Sequence, residues 1–412
     1  MHHVLRTASS PGLVMIECMR FPTEKAHGVY MAKQSEAFVR AGATVELWHP
    51  RMPQPADLKG VDPLDYYGIR ERFPVRQLSK LCTAAFDWRI PAPVRPLTFS
   101  ATSFAWAATA AWQARKTDAH AFLTSDLNVA FWLTQLGLPT VLDVHRVPRR
   151  RLRMSRLRGR RSLRLLVATT EGTKADLTSL GFDPSRITVL GNGVDLTQYD
   201  DLPVPEECRR RLSLPLDRSI VGYVGRFETM GVEKGIIDLI DAFSRVERHR
   251  ADLAPLLLCV GGPGELIPRY RRQARAAGVE HALFFDRVAT TQVPIWLRAL
   301  DVAVIPFPAK PHYERHMSPL KMFEFMAAGL PIVATDLPAT SEVLHHRENA
   351  WLVPPGDVTA LADGLSRVLE DPRLAAQLGS QAAADARSRT WEDRARAILD
   401  FALSENHHAA HR

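Results

Sequence analysis

A cation stands where a helix should not want one. In ERHMSPLKMFEFMAAGLPIVATDLP, residues 314–338, Ser318 and Pro319 read as a helix start. A hydroxyl caps free N–H groups, and proline's fixed φ suits the first helical position. Lys321 then falls in the first turn, where a positive charge opposes the helix dipole by roughly 0.3–1 kcal/mol. An anion is needed there. Glu324 follows one turn later among KMF and FMAAG. A carboxylate so placed calls for hydrogen-bond donors, either sugar hydroxyls or an arginine. A second cationic group, Arg226 and Lys234 in GRFETMGVEKG, follows the strand-like run IVGYVG. Glycine permits close backbone approach while Arg and Lys neutralise charge, so this loop reads as a phosphate clamp or as a solvated loop. If both segments face one ligand, a diphosphate would account for Ser318, Pro319, Leu320 and Lys321 together.

The first half offers fewer such residues. Lys25 and His27 lie in FPTEKAHGVYMAKQSEAF, a strand-to-helix loop ending at Gly28, and could meet a substrate. His145 closes the run TVLDVH; a lone histidine is more often structural, although the end of a strand favours function. GNGVD, 191–195, is first of all a turn signal. GGPGE, 261–265, does not satisfy GxGxxG and reads as a tight strand-to-helix turn. D-x-D, Gx4GK[ST] and GxSxG are all missing from the sequence. No bound metal or cofactor is therefore expected.

Positioning these residues requires strand ends. β-rich apolar runs alternate with amphipathic helix-length segments, which predicts parallel sheets with crossover helices. The runs fall in two sets, from LVMIECM (13–19) to ITVLG (187–191) and from IVGYVG (220–225) to AWLV (350–353). The proline-rich, mixed-charge stretch 199–219 separates them as a linker with a short helix. The fold class expected is α/β with two doubly wound, Rossmann-like domains. Residues 356–370 and 373–405 read as helices, and 96–114 (PLTFSATSFAWAATAAWQA) as a packed core helix.

The totals agree. A chain of 412 residues, 46% hydrophobic and 24% charged, is globular and too long for one core. Four scattered cysteines without a CxxC pair argue against a zinc site and a disulfide scaffold, and fit a reducing cytoplasm. The MHH and HHAAHR ends read as solvated tails. The formal net charge of +8 is local: residues 146–164 hold ten arginines and no acid.

Taken in order, RFPTEKAHGVYMAKQSEAF, LDVH, VLGNGVD, VGRFETMGVEKGI, VGGPGE, ALDVAVIP, SPLKMFEFMAAGLPIVATDLP and NAWLVPPGD resemble the motifs of the retaining glycosyltransferases of family 4 over nearly the whole chain. The resemblance implies a GT-B fold: a 1–200 acceptor-binding domain facing, across a cleft, a 201–385 nucleotide-sugar-binding domain, with a 386–405 helix crossing back. It implies transfer of a sugar from a nucleotide-diphosphate sugar to an acceptor hydroxyl, without metal. Arg226 and Lys234 would hold the diphosphate, aided by the Pro319–Lys321 backbone; Glu324 would bind the ribose; Gly28 would approach the phosphates; and His145 would sit beside the donor sugar. Two departures stand out. The family's paired glutamates are eight positions apart, yet His316 occupies the position eight before Glu324, and the stretch from Arg226 to Lys234 is longer than common. A non-catalytic GT-B scaffold and a GT-B sugar-nucleotide epimerase are the competing expectations. By analogy with members acting on lipid-linked or cell-envelope glycans, residues 146–164 are expected to dock on an anionic membrane from the cytoplasmic side. Nucleic acid is not the expected partner, since no aromatic side chains interleave the arginines.

Overall fold

The computed structural model describes residues 10–78, 93–148, 152–229 and 231–404. The expectations for both histidine-rich ends and for Cys82 fall outside these residues, as do Arg149, Arg150 and Arg151 of the basic run.

Two compact units emerge. One holds the described residues up to Thr169, Thr173–Leu190 and the terminal helix; the other holds Thr170–Gly172 and Gly191–Thr390. The first is built on β1 (Gly12–Ile16), β2 (Thr44–Pro50), β3 (Val75–Leu78), β4 (Ala121–Thr124), β5 (Thr140–Val144), β6 (Leu163–Ala168) and β7 (Ile187–Val189). All pair in parallel in the order β3-β2-β1-β4-β5-β6-β7. Strand order reverses between β1 and β4, and an open α/β sheet offers its ligand crevice at the carboxyl ends flanking such a switch.

The second unit contains β8 (Ser219–Val224), β9 (Glu228–Thr229), β10 (Val232–Glu233), β11 (Pro255–Val260), β12 (Ala282–Phe285), β13 (Val302–Ile305), β14 (Ile332–Thr335) and β15 (Trp351–Val353). Its six-stranded sheet runs β12-β11-β8-β13-β14-β15, again parallel, with the switch between β8 and β13. The Val- and Leu-rich strands are buried on both faces, as a sheet covered by helices on both sides demands.

Several elements differ from expectation. β3 reads VRQL, with two of its four residues exposed, and carried too little apolar signal to be seen. The residues beyond Arg226 form the antiparallel hairpin β9–β10, which explains the lengthened spacing to Lys234. The expected 373–405 helix is two helices, Pro372–Ala386 and Trp391–Ser404. The chain breaks between them because residues near 390 join Val194 instead: Val194 N–H donates to the Arg389 carbonyl at 3.0 Å and pairs with Thr390.

The Trp391–Ser404 helix packs on the Ala26–Arg40 helix of the first unit. Covered on its outer side, the latter buries Lys33, Gln34, Ser35 and Glu36 in succession. Each is satisfied locally where charge requires it: Lys33 Nζ meets Glu36 at 3.2 Å and the Gly68 carbonyl at 3.2 Å, and Glu36 accepts the Arg70 N–H at 2.7 Å.

The Arg95–Ala114 helix also departs from its reading as a fully packed element. One face, with Trp106, Ala107, Ala110 and Ala111, is buried, whereas Leu97, Phe104 and Trp112 on the other are exposed. Among the described residues no helix is long and apolar enough to cross a membrane.

Candidate active site

At the switch of the second sheet the cations meet. β8 ends at Val224, and Gly225 follows at φ +137, where a side chain would run into the end of Lys321. Gly261, from the turn after β11, lies so close to the Gly225 backbone that a side chain there would strike it. The β9–β10 hairpin folds the intervening chain away. Lys234 N–H donates to the Phe227 carbonyl at 2.9 Å, returning Lys234 to within electrostatic reach of Arg226. Burial, then the charge of Arg226, lowers the Lys234 ammonium to about 8. The Glu233 carboxylate accepts the Gly235 N–H at 2.8 Å and the Ile236 N–H at 2.5 Å, holding the start of the Ile236–His249 helix.

Lys321 lies in the first turn of the Leu320–Ala327 helix, as expected, but the cap differs. Pro319 is itself the N-cap residue and makes no side-chain cap, and the Ser318 hydroxyl instead accepts the Asn192 N–H at 2.9 Å. The Asn192 side-chain amide donates to the Ser318 carbonyl at 2.5 Å. The turn at GNGVD therefore diverts Ser318 from capping and fixes the entry of the helix. The buried Lys321 Nζ lies 3.4 Å over the Tyr223 ring centroid and finds no hydrogen-bond partner among the described residues. It also lies 5.7 Å from the Phe307 ring, over which Lys234 Nζ sits at 5.9 Å. Burial, then the neighbouring Lys234, pushes Lys321 well below the ordinary lysine range. Burial raises Glu324, one turn on, to about 7 against the opposing pull of Lys321. His316 stands 6.4 Å from the His312 ring at the end of the Pro311–Arg315 helix.

The first unit gathers a different cluster at the carboxyl ends of β1, β4 and β5. Glu17, just past β1, is buried and accepts the Ser125 N–H and hydroxyl, each at 2.9 Å. His27 Nε2 lies 3.3 Å from Glu17. Burial works against the Glu17 charge, but His27 and Ser125 outweigh it and hold the carboxyl below its ordinary value. Burial likewise opposes charge on His27, which Glu17 nevertheless raises. Burial and the Glu17 charge lift Asp126 to about 6. His145, one residue past β5, is driven down to about 4 by burial and is neutral at pH 7. Its ring meets Tyr30 edge-on at 4.6 Å and His27 at 6.0 Å. A cavity of about 230 Å³ is lined by His27, Ser125, Asp143, His145 and Arg146.

Beneath these lies a group of residues not anticipated from sequence. Asp143 accepts from the Tyr30 hydroxyl and, at 2.6 Å, from Arg394, whose other nitrogen donates to Gln34 at 2.5 Å. Nothing in WEDRARAI marks Arg394 as other than a surface arginine. The Gly28 N–H is taken by the Lys25 carbonyl at 2.9 Å, and a side chain there would strike the Tyr67 hydroxyl and the Thr23 methyl. Lys25, preceding the helix, is exposed. Among the expected residues the structure thus joins Arg226, Lys234, Lys321 and Glu324 in one unit, and His27 with His145 in the other.

Two Rossmann-like units in one chain define the GT-B class of fold, and comparison with solved structures agrees. Sucrose-phosphate synthase from Thermosynechococcus elongatus matches 97% of this chain and all of its own, with a TM-score of 0.74 and 21% identity. The Anabaena protein HepE in complex with UDP and glucose matches 96% of this chain and all of its own, with a TM-score of 0.70 and 18% identity. Residues 27–198 match the family model described as Glycosyltransferase Family 4, and residues 218–371 the one described as Glycosyl transferases group 1. The chain belongs to the family 4 glycosyltransferases. Curated relatives include D-inositol 3-phosphate glycosyltransferases from Xylanimonas cellulosilytica, 31% identical over 57% of this chain and 55% of the relative, and from Corynebacterium efficiens, 29% identical over 55% and 53%. The chain spans about half the length of the curated relatives it matches.

Proposed function

We propose that this protein transfers a sugar, with retention of anomeric configuration, from a nucleotide-diphosphate sugar to an acceptor hydroxyl. The observation that carries the reading is the meeting of Arg226, Lys234 and Lys321 at the β8–β13 switch, with the Lys321 ammonium buried and lacking a hydrogen-bond partner among the described residues. A buried cation is costly unless something compensates it. A diphosphate supplies the missing charge and acceptor oxygens. Glu324, buried one turn beyond Lys321, would accept from the ribose hydroxyls, and the Anabaena neighbour's complex with UDP supports a nucleotide in a fold of this kind.

Glycosyl transfer passes through an oxocarbenium-like state in which negative charge grows on the departing diphosphate. Cations aimed at that group bind it more tightly as the charge develops, which lowers the barrier rather than merely increasing affinity. Arg226 and Lys234 carry most of this work. Lys321, held over Tyr223, takes the remaining oxygen contacts. In the first unit, the neutral His145 can donate or accept one hydrogen bond to a sugar hydroxyl, and the His27–Glu17 pair can bind a polar acceptor. The D-inositol 3-phosphate specificity in the relatives' names supports a hydrophilic acceptor of that type.

A thermal-shift screen tests the donor: nucleoside diphosphates should raise the melting temperature, because a ligand bound only by the folded state stabilises it. A screen in which none shifts the protein overturns the reading. His316 in the place of an acid favours a second reading, a non-catalytic scaffold. Release of nucleoside diphosphate from a nucleotide sugar by the purified protein, abolished in Arg226→Ala, separates the two.

A further inference from the structure

We propose that Arg394, from the Trp391–Ser404 helix, is a positioning residue: by keeping Asp143 ionised it fixes the proton of His145 on Nε2, so that Nδ1 meets a ligand as a hydrogen-bond acceptor and selects a hydroxyl there. The identity of that ligand, a sugar, rests on the proposed transfer reaction. The place of the proton does not, and it can be measured with no ligand present.

Asp143 divides its two oxygens unequally. Oδ2 accepts from the Tyr30 hydroxyl and from Arg394 at 2.6 Å, whereas Oδ1 is buried and has no hydrogen-bond partner among the described residues. His145 Nε2, 3.6 Å from that oxygen, is likewise buried and unpartnered. Polar atoms enclosed together answer one another. A carboxylate oxygen only accepts, so the pair attracts when Nε2 carries the proton and opposes two lone pairs when Nδ1 carries it. Closing the gap to a hydrogen bond takes roughly half an ångström.

The assignment requires a charged Asp143. Burial alone would protonate this fully enclosed carboxyl, and the Arg394 charge is the largest of the causes that outweigh burial and hold it below its ordinary value. A protonated Asp143 could donate from Oδ1 to Nε2 and reverse the tautomer of the ring. Arg394 prevents that reversal. His145 itself is neutral, since burial, then the charges of His27 and Arg394, drive it down to about 4 against the upward pull of Asp143 and Glu17. One ring nitrogen therefore bears a proton at pH 7 and the other a lone pair. Tyr30, which donates to Asp143, also meets the ring edge-on at 4.6 Å. The side chain is 31% exposed and lines the cavity of about 230 Å³. With Nε2 enclosed, Nδ1 is the polar atom this side chain has left for a ligand. A lone pair there rewards a hydroxyl, which donates, over an ether or fluorine in its place.

The test is heteronuclear NMR of the full chain with isotope-labelled histidine, the His145 ring being assigned by its loss in His145→Gln. At pH 7 Nε2 should carry the proton in preference to Nδ1 by about tenfold or more, the ratio one hydrogen bond to a charged group supports. Arg394→Met/Asp143→Asn exchanges the ion pair for neutral groups, and the introduced amide can donate to Nε2, so the proton should move towards Nδ1. Arg394→Lys, which keeps the charge, should keep the original pattern. Circular dichroism and a cooperative melt show that each variant folds. In the double variant kcat for transfer should fall about tenfold with nucleoside-diphosphate affinity unchanged, a split that general loosening would not produce. A proton on Nδ1 in the unaltered protein overturns the proposal, as does an imidazolium at pH 7 or a folded double variant with unaltered ring signals. The expected tautomer in a protein without transfer activity supports the assignment and counts against the transfer reading instead.

Discussion

The two units bury charge in opposite ways. In the first, Asp143 is enclosed by Arg394 and the Tyr30 hydroxyl, and Glu17 by His27 and Ser125, so each anion is answered from within the protein. In the second, Lys234 lies within electrostatic reach of Arg226, Lys321 within that of Lys234, and the Lys321 ammonium rests on an aromatic ring. Charge paired internally holds a fold together; charge left beside like charge stores affinity for something not yet bound. The contrast explains why β8 and β13 end in a predicted diphosphate site, whereas the polar core below β5 reads as scaffold.

Each variant below pushes on that contrast. Arg226→Ala should lower kcat by about 100-fold or more, the scale expected for removing one preorganised charge from a developing anion, with the melting temperature nearly unchanged. Arg394→Met should do the reverse. It strands a buried Asp143 and should cost about 3–5 kcal/mol in denaturant unfolding, part of which Asp143→Asn should restore. Lys321→Met keeps the volume and removes the unanswered charge. The ligand-free protein should melt at the same temperature or higher, while nucleoside-diphosphate affinity falls about tenfold, roughly one charge-assisted hydrogen bond. If it instead destabilises as much as Arg394→Met, the distinction between the units fails.

The pH profile sharpens the same point. A diphosphate binds protonated lysine, so donor kcat/KM should fall as pH rises through about 8, where free Lys234 loses its proton. Glu324 accepts ribose hydroxyl bonds as a carboxylate, so kcat/KM should also fall as pH drops through about 7. The bell should collapse on its alkaline side in Lys234→Met. The smallest effect concerns the frame: Glu233→Ala removes acceptors from the Gly235 and Ile236 N–H groups and should cost about 1 kcal/mol.

The fold was legible because both sheets are parallel and doubly covered, so most of their strands appear as unbroken apolar runs such as LLLCV and VAVI. β3 and the β9–β10 hairpin were not, because short or edge strands bury too little to impose a pattern. Lys321 betrayed itself by a sign that contradicts its helix end. Its ring platform did not, since Tyr223 inside IVGYVG looks like any core aromatic. Ser318 misled: Ser-Pro fits a cap from sequence, and only the distant Asn192 redirects the hydroxyl. Arg394 could not be found at all, because its partners Gln34 and Asp143 lie 360 and 251 residues away.

That last separation bears on how the chain matures. The unit synthesised first cannot neutralise Asp143, nor cover the outer side of its own Ala26–Arg40 helix, until the residues around Trp391 have left the ribosome. Its nascent form must wait, partly open, through the synthesis of the entire second unit, and a product ending short of Arg394 would keep that opening for good.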